Sequence, residues 1–91
     1  MTTQDPFDER TLYTITNESG DRTTVTLDKL TADTLQKLLP DVHLWVQSMY
    51  DRVVQRKPEL SRRERGDLVR AIANAEARKS PAYKKLIDDI L

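Results

Sequence analysis

The sequence predicts an α+β fold in which an N-terminal two-stranded antiparallel β-hairpin packs on a cluster of about four short helices. Two observations predict this class. β-rich runs occupy residues 11–27 and flank a turn cluster that contains Gly20. After residue 30, apolar residues recur at helical spacing in segments that are separated by Pro40, Pro58 and Pro81.

The hairpin over residues 11–27 should bury one face. Alternation places Tyr13 and Ile15 together, where Val25 and Leu27 of the second strand can meet them. A two-stranded hairpin is marginal alone and has two unpaired edges, so helices must cover it or a second subunit must extend the sheet. Edge-to-edge dimerisation is therefore one expectation. The opposite face, which should meet water, is a row of threonines: Thr14, Thr16, Thr24 and Thr26.

Two helices are predicted after the hairpin. The first spans about 31–39, with Thr31 as its N-cap, and stops before Pro40. The second spans about 41–57, is capped by Asp41, and should form the centre of the core. Its broad apolar stripe consists of Val42, Trp45, Val46, Met49, Tyr50 and Val53.

The third predicted helix spans about 61–79 and opens with a capping box formed by Ser61 and Glu64. A fourth follows Pro81, over about 82–91, and is short enough to need docking. The expected apolar face of the third helix is Leu68, Ile72 and Ala75, bordered by Val69. That of the fourth is Tyr83, Leu86, Ile87, Ile90 and Leu91.

The length of 91 residues allows one hydrophobic core. Residues 1–9 show no periodicity, and we expect a flexible tail followed by a single domain over 10–91. The chain has no cysteine, no leader pattern and no run of about 18 apolar residues, so a cytoplasmic protein with no membrane span is expected.

The net charge is zero but unevenly distributed. Residues 1–51 contain nine acids and four bases, whereas residues 52–91 contain six acids and eleven bases. Such a separation of charge can orient a partner or a second copy of the chain during association.

No set of residues matches a recognisable catalytic or metal site. His43 is the single histidine and has no signalled nucleophile or companion ligand. Asp88 and Asp89 are adjacent and project about 100° apart on a helix, so they do not form a chelating pair. We therefore expect a non-enzymatic protein without a cofactor.

The sequence instead favours a small protein-interaction or regulatory module. Four arginines should lie on one side of the third helix, away from Leu68, and could contact an acidic partner. Leu44 lies away from the main stripe of its helix and could add an apolar contact to another protein or to a second copy of the chain. Homodimerisation is therefore one of the expected modes of association. The four arginines are Arg62, Arg63, Arg70 and Arg78.

The alternative is a nucleic-acid-binding protein. Helices 41–57 and 61–79 with the short turn between them have the outline of a helix-turn-helix, whose second helix would open with Arg62, Arg63 and Arg65. Against this, Asp67 can pair with nearby arginines, and dedicated nucleic-acid binders are usually strongly basic.

Overall fold

The hairpin precedes four helices in the structure, a computed structural model that describes residues 9–91. The predicted α+β class is confirmed. Of the expected tail over 1–9, all but Glu9 lies outside the described residues. The elements are β1 (Arg10–Thr16), β2 (Arg22–Asp28), α1 (Lys29–Leu38), α2 (Val42–Arg56), α3 (Arg62–Ala77) and α4 (Pro81–Ile90).

The two strands pair antiparallel with Tyr13 opposite Val25. The inner face predicted from alternation is confirmed, since Tyr13, Ile15, Val25 and Leu27 are all buried. Burial of this face against the helices stabilises a hairpin that would be marginal alone. Of the threonines predicted to meet water, three are exposed and Thr26 is half-buried: the exposed ones are Thr14, Thr16 and Thr24.

The turn between the strands depends on one glycine and one asparagine. Gly20 has φ +83°, a left-handed conformation that side chains with a Cβ rarely adopt. The buried Asn17 side-chain oxygen accepts hydrogen bonds from the backbone amides of Ser19 at 2.9 Å and Asp21 at 3.0 Å. These contacts hold the turn in one conformation and present the next side chain, Glu18, towards the helices.

The outer edge of β1 is partly closed by side chains of α2. The Gln47 amide donates to the Thr16 carbonyl at 2.9 Å, and its oxygen accepts from the Thr16 backbone amide at 2.8 Å. A ring nitrogen of His43 hydrogen-bonds the Thr14 carbonyl. A strand that paired with this part of β1 would have to displace both side chains, although edge-to-edge dimerisation itself stays a prediction.

The N-cap of α1 is Asp28, so the expectation that Thr31 caps it is wrong. A carboxylate oxygen of Asp28 accepts from the Thr31 backbone amide at 2.9 Å. The Thr31 hydroxyl is turned inwards because three polar groups surround it there. It lies 2.8 Å from Asp28 Oδ1, 2.9 Å from Asn74 Oδ1 and 3.3 Å from the Tyr83 hydroxyl. This cluster joins the start of α1 to α3 and α4.

The predicted stripe of α2 is confirmed as the centre of the core. Asp41 is its N-cap and accepts from the Leu44 amide at 3.0 Å. Two members of the stripe, Trp45 and Met49, are half-buried and lie at its border. The buried members are Val42, Val46, Tyr50 and Val53.

The capping box of α3 is confirmed, but the predicted core face of this helix is only partly correct, because Leu68 and Ile72 lie at the border of the core. Leu68 and Ile72 are only partly buried, and Ala75 is exposed. The core side is rolled by about 100°, the angle between successive residues. Small side chains allow α3 to approach its neighbours closely, and this face consists of Val69, Ala73 and Ala77 with Arg65.

α4 begins at Pro81, one residue before the predicted start, and Ser80 is its N-cap. Tyr83 is buried and Ile87 is half-buried. The rest of the expected apolar side does not dock against the described part of the chain, since Leu86, Ile90 and Leu91 are exposed.

The roll of α3 can be tested with two alanines. Ala73 has no exposed surface, so Ala73→Leu should lower the free energy of unfolding by about 1–3 kcal/mol through overpacking. Ala75→Leu makes the same change on the exposed side and should shift it by about 0.5 kcal/mol or less. Urea unfolding followed by the fluorescence of Trp45, the single tryptophan, measures both. A large loss of unfolding free energy in Ala75→Leu with little change in Ala73→Leu would instead support the core face predicted from the sequence.

Candidate interaction surface

Two of the four predicted contact arginines, Arg62 and Arg63, lie in the first turn of α3 and are exposed. Neither forms an ion pair with a carboxylate anywhere in residues 9–91. Their guanidinium groups are therefore available to a partner, as the sequence interpretation requires.

The other two arginines lie elsewhere on α3. Arg70 is half-buried, forms an ion pair with Asp67, and approaches the Thr26 hydroxyl at 3.4 Å. Arg78 is the exposed C-cap, about 22 Å along the helix axis from Arg63. The structure therefore does not bring the four arginines together in one patch.

Leu44 is 68% exposed on the first turn of α2, as expected for a residue away from the stripe. Its neighbour His43 packs with its ring centroid 6.2 Å from that of Tyr13 and hydrogen-bonds the backbone of β1. His43 thus has a structural contact, and Leu44 lies in the first turn of α2, at the opposite end of that helix from the connection that leads to Arg62 and Arg63.

Arg65 is buried, which corrects its interpretation as a third base-reading arginine. Its guanidinium forms an ion pair with Glu18 and donates to the Pro58 carbonyl at 3.0 Å. The Tyr50 hydroxyl lies 3.5 Å from the same Glu18 carboxylate. Because Glu18 precedes Arg65 by 47 residues, no local pattern could have revealed this pairing.

The contacts of Glu18 favour its charged form. Its own backbone amide and then the Arg65 guanidinium lower the pKa of the Glu18 carboxyl below the ordinary glutamate value of 4.5. In the α3 capping box, the Ser61 backbone amide and then the Ser61 hydroxyl lower the pKa of Glu64. Both carboxylates therefore stabilise the folded chain in their ionised form.

The exposed positive charge is concentrated where α2 ends and α3 begins. Residues 52–63 contain five bases and one acid, Glu59. The five bases are exposed, and none forms an ion pair within the described part of the chain. We call this surface the basic turn; it consists of Arg52, Arg56, Lys57, Arg62 and Arg63.

A groove of about 350 Å³ lies between α2 and α3 beside the basic turn. We call it the α2–α3 groove. Sequence reasoning missed it because Leu68 and Ile72 were assigned to the core. The one available signal was the pair Arg52 and Arg56, spaced one turn apart next to an apolar stripe. The floor consists of Met49, Val53, Leu68 and Ile72, and the rim of Arg52, Arg56 and Lys57.

A larger, polar cleft of about 550 Å³ lies between β2 and α3. Its charged and polar groups already serve structural contacts: Asp67 pairs with Arg70, and Asp28 and Asn74 contact Thr31. Neither Cys nor His lines it, and its residues do not form a nucleophile and base pair.

Other features of the described residues do not assign a function. Within residues 9–91, no three His, Cys, Asp or Glu side chains are grouped so that they could hold a metal ion. None of the four helices combines the length and apolar character needed to cross a membrane. No protein-family model matches the chain, and comparisons with curated proteins and with solved structures gave no match.

The lowered pKa of Glu18, caused first by its own backbone amide and then by Arg65, should make stability depend on pH. With a lowered folded-state pKa, Glu18 stabilises the fold above the ordinary value of 4.5, and this contribution is lost as the pH falls through the folded-state pKa. Glu18→Gln should therefore be less stable than wild type at neutral pH, with the difference shrinking in acid. Urea unfolding at several pH values measures this.

The matched control is Glu59→Gln, which makes the same chemical change at an exposed residue without an ion pair within the described range. It should stay close to wild type throughout the pH range. A difference between Glu18→Gln and wild type that is constant with pH would contradict the assigned role of Glu18.

Proposed function

We propose that this chain is a small, non-enzymatic, cytoplasmic interaction module with a regulatory role that binds an acidic partner protein through the basic turn. The supporting observation is the group of five exposed cations over residues 52–63 that have no carboxylate partner in the described chain. Arg62 and Arg63 belong to the arginine face expected from the sequence.

Charge without a counterpart in the same molecule favours association with a molecule that carries the opposite charge. Exposed cations accelerate encounter and set orientation, and affinity comes from apolar contacts near them. The α2–α3 groove supplies apolar surface directly beside the basic turn. Arg70 and Arg78 lie away from this combination and are not needed for it.

Nucleic-acid binding is the second candidate, and the same five cations favour it. A duplex would place phosphates against Arg62 and Arg63 at the start of α3. The burial of Arg65 removes one of the three arginines from base contact, and the net charge of the chain is zero. These two facts favour a protein partner.

Capture with and without nuclease should separate the two candidates, and charge reversal at the start of α3 tests whether the basic turn is the binding surface. The tagged full-length chain is used to capture proteins from a native lysate with and without nuclease, and recovery is measured by mass spectrometry. Arg62→Glu with Arg63→Glu should reduce recovery of acidic partners about tenfold, which corresponds to about 1.4 kcal/mol. The matched control, Lys84→Glu with Lys85→Glu, makes the same charge change on exposed residues of α4 and should retain them.

Equal recovery by both double variants would contradict the proposal. Material that is lost on nuclease treatment, together with duplex binding that weakens steeply with salt, would replace the protein partner with nucleic acid.

A further inference from the structure

We propose that the α2–α3 groove is the docking site for an acidic amphipathic helix of a partner protein. The inference rests on the proposed function and specifies the partner's chemistry: apolar side chains that enter the groove and carboxylates that meet its rim. The helix would lie against α2 and α3 as a third helix.

The floor of the groove is apolar and incompletely covered. Leu68 and Ile72 are only partly buried because the roll of α3 directs its alanines, not these larger residues, into the core. Met49 and Val53 of α2 complete the floor. On each helix the two floor residues are four positions apart, about 6 Å along the helix axis. This spacing matches two apolar side chains one turn apart on a docked helix.

The rim of the groove carries positive charge that the described chain does not neutralise. Arg52 and Arg56 lie one turn apart on the same side of α2, an arrangement in which like charges repel each other. Lys57 follows at the end of the helix. Glutamates or aspartates that flank the apolar stripe of a docked helix would relieve this repulsion and fix the helix's orientation.

A second copy of the chain and single-stranded nucleic acid fit the groove less well. Helix α4, which exposes Leu86 and Ile90, has as many lysines as aspartates, so a second copy does not offer a net acidic helix through it. Single-stranded nucleic acid binds by stacking bases on aromatic side chains, and the floor has none.

The probe is a labelled synthetic peptide of about 18 residues, long enough to form a helix. Leucines occupy i, i+3, i+4 and i+7, and glutamates flank them. Fluorescence anisotropy with the full chain should show binding of this peptide, and an isomer with the leucines scrambled should bind about tenfold more weakly or not at all.

Two variants place the binding in the groove. Ile72→Gln alters the floor, and Arg52→Glu with Arg56→Glu reverses the rim on exposed positions that leave the core intact. Each should weaken binding about tenfold. The control is again Lys84→Glu with Lys85→Glu, and Trp45 fluorescence during unfolding verifies that every variant is folded.

The methyl group of Met49 can report directly whether the peptide binds in the groove. The chain has two methionines, and Met49 is in the floor. In a protein labelled with ¹³C at its methionine methyl groups, the NMR signal assigned to Met49 through Met49→Leu should shift as the peptide is added.

Several outcomes would overturn the inference. These are equal binding of the scrambled peptide, binding that survives both groove variants, self-association through the groove in sedimentation, or groove-dependent binding to anionic lipid vesicles without binding to the peptide. If capture of a partner is lost on substitution of Arg62 and Arg63 but not of Ile72 or Arg52, the groove is not the docking site, while the proposed function stands. If capture depends on neither surface, both proposals fail.

Discussion

The ion pair between Arg65 and Glu18 is the constraint on which the rest of the arrangement depends. It joins the hairpin turn to the first turns of α3, and Arg65 also binds the Pro58 carbonyl in the connection from α2. One guanidinium therefore holds three parts of the chain in register. Because Arg65 points inwards, the residues one and two turns later, Val69 and Ala73, must point inwards as well.

A buried guanidinium requires compensation, since an isolated charge is costly to remove from water. Glu18 supplies the opposite charge and is itself held ionised by its own backbone amide and by Arg65, which lower its pKa. Two further contacts tie the same hairpin to α2, at Gln47 and His43. Polar contacts at the periphery thus position a hairpin whose burial is otherwise apolar and non-directional.

Local sequence signals predicted the elements well. The hairpin face, the capping box at Ser61, the N-cap at Asp41 and the stripe of α2 all depend on residues that are close in sequence, and all are confirmed. The N-cap of α1 was wrong by three residues, because both Asp28 and Thr31 can cap and tertiary contacts draw the Thr31 hydroxyl inwards.

The roll of α3 could not be predicted in this way. Leu68 and Ile72 are the largest apolar residues of that helix, and periodicity alone assigns them to the core. The face of α3 that points into the core is instead determined by the ion pair of Arg65 with Glu18, a residue in a distant turn, and by the close packing of Ala73 and Ala77. The exposure of Arg62 and Arg63 was predicted, whereas the α2–α3 groove was not.

The same roll links the fold to the proposed function. If Leu68 and Ile72 were in the core, the surface of α3 available to a partner would be charged only. Charge alone gives long-range attraction with little affinity. With Arg65 inside, the helix keeps Arg62 and Arg63 outside and leaves apolar surface next to the cations of α2. The ion pair of buried Arg65 with Glu18 thereby favours a roll of α3 that leaves apolar surface beside unpaired charge, the combination that is typical of specific interfaces.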